Sequence, residues 1–264
     1  MKLNNQPLVV KVNDGQKWLS DGYSLFKKQP LVWILSLATY WTAMFLFGLI
    51  PFFGLAASLI LSPGLAFGFI ALAESIDKGE KPVPKLIVSG FFSHRKKHLI
   101  FVGFIYLTAL FLILLISMTF DDRSILDFFQ QNQLDEKSKP IQTGVSRIGP
   151  LIALLTYIPV VMAFWFAPQL VVWGNFTALK ALFYSFFAVW LNWRSFLIYL
   201  FFWFLLILVL TFLISLLGSI FSSSQQILLI TLLPSIIFLM AIAHGSYYSS
   251  TKSIFKTLEN SSAD

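Results

Sequence analysis

The chain has 264 residues, of which 57% are hydrophobic, 17% aromatic and only 12% charged, a balance that excludes an ordinary soluble domain, where about a quarter of residues carry charge. The net charge of +7 falls on basic residues placed between apolar runs, a pattern of membrane orientation and head-group contact, so nucleic acid is not expected as a partner. Cysteine is absent, which excludes disulfides, thiolate metal sites and cysteine nucleophiles.

In chain order, residues 1–12 read as a flexible tail. From Asn13 or Asp14, either of which suits a helix cap, Trp18, Leu19, Leu25 and Phe26 gather on one side, with Lys17, Asp21, Lys27 and Lys28 elsewhere. Such a helix lies along a membrane surface, and Pro30 ends it. The first span follows over 31–50, twenty residues without a charge, about 30 Å of helix and enough to cross the hydrocarbon layer. It follows thirty residues that include Lys11, Lys17, Lys27 and Lys28 and exceeds a signal-peptide core in length, so an uncleaved span is expected.

PFFG at 51–54 turns the chain into a second span, 56–73, with Pro63 near its centre and small residues Gly54, Ser58, Ser62, Gly64 and Gly68 for close packing. A basic stretch, 77–98, holds a second interfacial piece at 85–92, and the third span covers 99–119. An outer loop, 120–149, mixes both charges and carries a short amphipathic helix at 124–133. The fourth span, 150–173, is interrupted by Pro159 and Pro168. A third amphipathic piece runs from Asn175 to Arg194. Spans five and six cover 196–220 and 227–247, the last with Pro234 inside, before a cytoplasmic tail, 251–264. The fold expected is an all-α polytopic membrane bundle of six transmembrane helices occupying 13–250.

Sorting lysine and arginine by side places fifteen of the nineteen on the face that carries both termini, which puts the termini in the cytoplasm. The three amphipathic pieces also resemble one another. Lys17, Lys85 and Lys180 each stand five residues before Gly22, Gly90 and Ser185, each of which is followed by an aromatic. The returning spans contain proline and the outgoing ones do not. Three copies of one unit follow from this: surface helix, straight span, outer turn, bent span.

Few groups here suit acid–base or transport chemistry. Glu74 and His244 are a candidate polar pair, at similar depths if Pro63 and Pro234 correspond. His94 and His98 stand at metal-ligand spacing but amid Arg95, Lys96 and Lys97, which repel a cation, so neither metal nor cofactor is expected. The candidate lipid contacts are Lys17, Lys27, Lys28, Lys85, Arg95, Lys96, Lys97, Lys180 and Arg194, each placed to meet anionic phospholipid at about 1 kcal/mol. The candidate helix bends are Pro63, Pro159, Pro168 and Pro234.

The segments GQKWLSDGYSLFKKQP (15–30), IPFFG (50–54), SPG (62–64), FWFAP (164–168) and ALKALFYSF (178–186) resemble a family of uncharacterised six-span bacterial inner-membrane proteins with locus-tag names. The layout is more distantly similar to the membrane domain of some glycerophosphodiester phosphodiesterases. The resemblance implies an inner-membrane location and no active site. The function expected is a non-enzymatic integral membrane protein that supports the envelope, a membrane complex or lipid, with membrane lipids and other membrane proteins as partners. The alternative is a transporter or lipid translocator working through the bent spans. A closed, Phe-filled interior would favour the first and a cavity with polar lining the second.

Overall fold

A computed structural model describes residue 3 and residues 6–51, 53–120, 148–220 and 224–255. The helix expected at 124–133, most of the outer loop and the end of the C-terminal tail lie outside the described residues. Among the described residues, six helices are long and apolar enough to cross a membrane. Helices dominate because lipid offers the backbone no hydrogen-bond partner, so each polar group must be satisfied within its own segment. Serine and threonine inside the spans obey the same constraint: Thr39, Ser58, Thr108 and Ser235 donate to carbonyls one turn back at 2.7–2.9 Å.

The interfacial helix α1 (Asp14–Lys28) buries Gly15, Trp18, Gly22 and Leu25 along one stripe. Asp14 in its first turn and Lys27 and Lys28 in its last match the helix dipole. Pro30 is the first residue of α2 (Pro30–Gly48), where its missing N–H is no loss. The returning span α3 (Phe53–Asp77) continues through Pro63 and is the centre of the bundle, with 44% of its apolar window buried against 6% for the fifth span.

The second interfacial piece is a tight 3₁₀ segment, Pro84–Val88, followed by the four-residue α4 (Ser89–Phe92), rather than one continuous helix. The third span is α5 (Lys96–Thr119). The expected fourth span divides into α6 (Ile148–Trp165) and the short α7 (Ala167–Val172). Pro168 supplies no N–H to the carbonyl of Phe164 and cannot sit inside a continuous helix without loss. The remaining elements are interfacial α8 (Ala178–Leu191), α9 (Trp193–Ile220) and α10 (Ser224–Ile254). At 31 residues α10 is about 46 Å long and outruns the ~30 Å hydrocarbon layer. Its last turns pack on α1 instead of ending near residue 247.

The three units close into a ring, and the small residue at the centre of each interfacial piece makes the joint. Gly90 lies on the backbone of α3 at Gly64, where a Cβ would fall 2.5 Å from the Gly64 carbonyl oxygen. Gly22 lies on α10, where a Cβ would fall 2.5 Å from the Ile242 oxygen and 2.7 Å from the Ser246 nitrogen. Ser185 sits on α6, donating from Oγ to the Met162 carbonyl at 2.8 Å and accepting from the Phe166 N–H at 2.8 Å. Each interfacial piece therefore docks on the returning span of the preceding unit, and the first docks on the last.

These joints align on the small residue and not on proline. Pro63 stands one residue before its joint, Pro159 three before Met162, and Pro234 eight before Ile242. Pro159 and Pro234 are exposed on the outer surface, whereas Pro63 and Pro168 are buried.

The segment before α1, expected as a flexible tail, is tied down over residues 8–11. The Leu8 N–H donates to the Ile254 carbonyl at 2.9 Å. Asn192 donates to the Leu8 carbonyl at 3.0 Å and accepts from the Val10 N–H at 2.8 Å. Ser195 Oγ donates to the Lys11 carbonyl at 3.1 Å. Buried Asn192, between α8 and α9, gives this extended strip the partners that water would otherwise supply.

Candidate functional site

Two features stand out, an open cavity among the spans and a lysine-bearing face. The cavity has a volume of about 390 Å³ and takes lining side chains from all six spans. Tyr40 comes from α2, Tyr106 from α5, Tyr157 from α6, Tyr199 from α9, and His244 and Tyr247 from α10, with Pro63 and Phe69 of α3 closing one wall.

The aromatic walls are tightly fitted. His244 stacks on Phe69 with centroids 4.1 Å apart and planes 11° apart. Tyr40 meets the same Phe69 edge-on at 5.5 Å, and Trp165 meets Tyr247 edge-on at 5.4 Å. Some hydroxyls are committed. Tyr199 Oη lies 2.7 Å from Ser246 Oγ, and Tyr247 Oη donates to the Trp165 carbonyl. Tyr106 and Tyr157 share a contact of 3.3 Å between hydroxyls.

At the lysine-rich end, Asp77 gathers three helices. Its carboxylate accepts from Lys252 Nζ at 2.7 Å and Tyr248 Oη at 3.0 Å, and Lys28 Nζ stands 3.9 Å away. Asp21 of α1 accepts from Ser249 Oγ of α10 at 2.7 Å. Of the candidate lipid contacts, Lys28 is thus drawn toward Asp77. Arg95 is tethered to Asn175, donating to its side chain and, at 2.9 Å, to its carbonyl. Asn175 holds the left-handed backbone conformation, φ 57°, that lets its loop turn toward that guanidinium. His94 Nε2 lies 3.3 Å from the same Asn175 oxygen.

Lys17, Lys27, Lys85, Lys96, Lys97, Lys180 and Arg194 are exposed. Several ride on aromatic faces: Lys27 stands 4.7 Å from the Tyr23 ring centroid, Lys180 4.3 Å from Phe176, and Arg194 5.4 Å from Trp193.

Glu74 and His244 occupy unlike places. Glu74 pairs with Lys78 at 2.8 Å one turn on and is not among the cavity's lining residues, whereas His244 is. Their proposed equivalence rested on matching Pro63 to Pro234. Measured from the joints, Glu74 is ten residues past Gly64 and His244 only two past Ile242. The tyrosine cavity itself escapes sequence reasoning, because its hydroxyls come from five helices at unrelated spacings.

No family model matches the chain, and no solved structure matches it significantly. The chain is 30% identical over 258 residues to the probable inner membrane protein BTH_II0599 of Burkholderia thailandensis, an alignment covering 96% of this chain and 95% of that protein. With six helices fit to cross a membrane and end-to-end similarity to that relative, the chain belongs to its family and is a multi-pass inner-membrane protein.

Proposed function

We propose a non-enzymatic integral inner-membrane protein whose lysine-bearing face holds anionic phospholipid, with both termini in the cytoplasm. The carrying observation is the ring of three docked interfacial pieces, each with an exposed lysine and two of them with a lysine over an aromatic ring. Sorted by sequence segment, fifteen of the nineteen basic residues belong to the side that carries the termini, the bias that sets cytoplasmic sides. Lys85 of the 3₁₀ segment and Lys96 and Lys97 in the first turn of α5 are all exposed, and each would contribute about 1 kcal/mol at an anionic surface.

The test uses the full chain in nanodiscs of phosphatidylcholine with or without phosphatidylglycerol, reading the lipids retained by native mass spectrometry. Phosphatidylglycerol should be enriched around the wild-type protein. The triple variant Lys85→Gln, Lys96→Gln, Lys97→Gln should lose that enrichment by on the order of fivefold per charge removed, about 1 kcal/mol each. Equal retention of the two lipids by the wild type would refute the reading.

The cavity supports a second reading, a transporter or lipid translocator, because five tyrosines and Ser62 place hydroxyl-bearing side chains in a lining that is otherwise apolar. Of the four prolines, Pro63 and Pro168 line it. Partner membrane proteins would meet the outward-facing Leu and Phe surface of the spans.

A further inference from the structure

We propose that the open cavity among the spans binds a neutral, ring-bearing lipophile that presents oxygen acceptors, the chemistry of a benzoquinone head group with an apolar tail. This does not depend on lipid binding at the lysine-bearing face. Volume, charge, shape and hydrogen-bond inventory each narrow the class.

At about 390 Å³ the cavity lies within the ~300–1,000 Å³ range of small-molecule sites, well above what side-chain misfit leaves behind. Among the described residues its lining includes no aspartate, glutamate, lysine or arginine. A charged ligand would find no counter-charge on this lining, so a neutral one is selected. The stacked Phe69 and His244 rings, with Tyr40 edge-on to them, offer flat surfaces that suit another ring better than a flexible chain.

The polar atoms in the walls are short of acceptors. Among the described residues, no hydrogen bond engages Tyr40 Oη or either ring nitrogen of His244, although both side chains line the cavity. The two hydroxyls of Tyr106 and Tyr157 face one another, so one of their two protons remains to be given elsewhere. Tyr40, His244 and the Tyr106–Tyr157 pair thus keep hydrogen-bonding capacity in the lining that a ligand carrying carbonyl or ether oxygens would use.

The experiment measures saturable binding of a radiolabelled decyl dimethoxybenzoquinone to the full chain in nanodiscs, with empty discs subtracted. Decylbenzene and decyltrimethylammonium serve as competitors. The expected result is one quinone site per chain, with decylbenzene at least tenfold weaker and the ammonium ineffective. Tyr40→Phe removes one hydroxyl and should weaken the quinone five- to tenfold while leaving decylbenzene unchanged. Ala66→Phe, which fills the cavity from α3, should abolish binding of both. Thermal melting of each variant establishes that it is folded. The proposal is overturned if no saturable site is found, or if decylbenzene or the ammonium binds as tightly as the quinone. Wild-type quinone affinity in folded Tyr40→Phe or folded Ala66→Phe overturns it equally.

Discussion

Gly22→Leu is expected to destabilise the protein by about 3 kcal/mol, at the upper end of the range for overpacking, because the new side chain meets backbone that cannot step aside. The reason is local. At the joint between α1 and α10 a Cβ on Gly22 would fall 2.5 Å from the Ile242 oxygen, and Gly245 faces it from the other side, its own Cβ falling 2.9 Å from the Gly22 Cα. Nothing flexible can yield, so α1 must lift from α10. Lifting it opens the ring where first unit meets last and strips Asp21 from Ser249. Gly218→Leu in α9 is the matched control, since nothing lies within 4 Å of a Cβ there, and a change within about 0.5 kcal/mol is expected. Unfolding in detergent followed by tryptophan fluorescence reads both.

Trp18→Ala is expected to have an effect of similar size or larger. Trp18 is 1% exposed, meets Phe196 and Tyr199 edge-on at 5.1 and 5.9 Å, and donates from Nε1 to Ser253 Oγ at 2.8 Å. Its ring therefore pins α1 to both α9 and α10. Truncating a buried tryptophan costs about 3–5 kcal/mol through lost packing and the cavity left behind. Trp18→Phe keeps most of the contact and gives up the hydrogen bond, so a loss of about 1 kcal/mol is expected. If the two variants melt together, packing is not what Trp18 supplies.

The spans are legible in the sequence because a bilayer imposes a length and forbids charge, and only a run such as 31–50 meets both demands. The repeat is legible for a different reason. Gly22, Gly90 and Ser185 are small because backbone crosses there, a steric demand that leaves its mark at one position per unit. Proline misled the alignment because it reports only on its own helix: Pro159 and Pro234 face outward, and nothing in the packing requires them to match Pro63. The polar end of α10 read as tail, yet it stays helical because its hydroxyls are spent on the helix itself. Ser250 Oγ and Thr251 Oγ1 both donate to the Tyr247 carbonyl, at 2.8 and 3.0 Å. The cavity was beyond reach, since tyrosines at 40, 106, 157, 199 and 247 share no spacing and meet only once the ring has closed.

The ring requires all three interfacial pieces to lie on one side of the membrane, and the chain's lack of cysteine makes this directly measurable. Lys17→Cys, Lys85→Cys and Lys180→Cys, made one at a time, place a thiol on each piece, and Pro51→Cys places one at the first outer turn. With a membrane-impermeant maleimide applied to intact spheroplasts, Pro51→Cys should label, and the other three should label only after lysis. Labelling of any one of the three interfacial positions from outside would contradict the threefold arrangement and the cytoplasmic lysine-bearing face together.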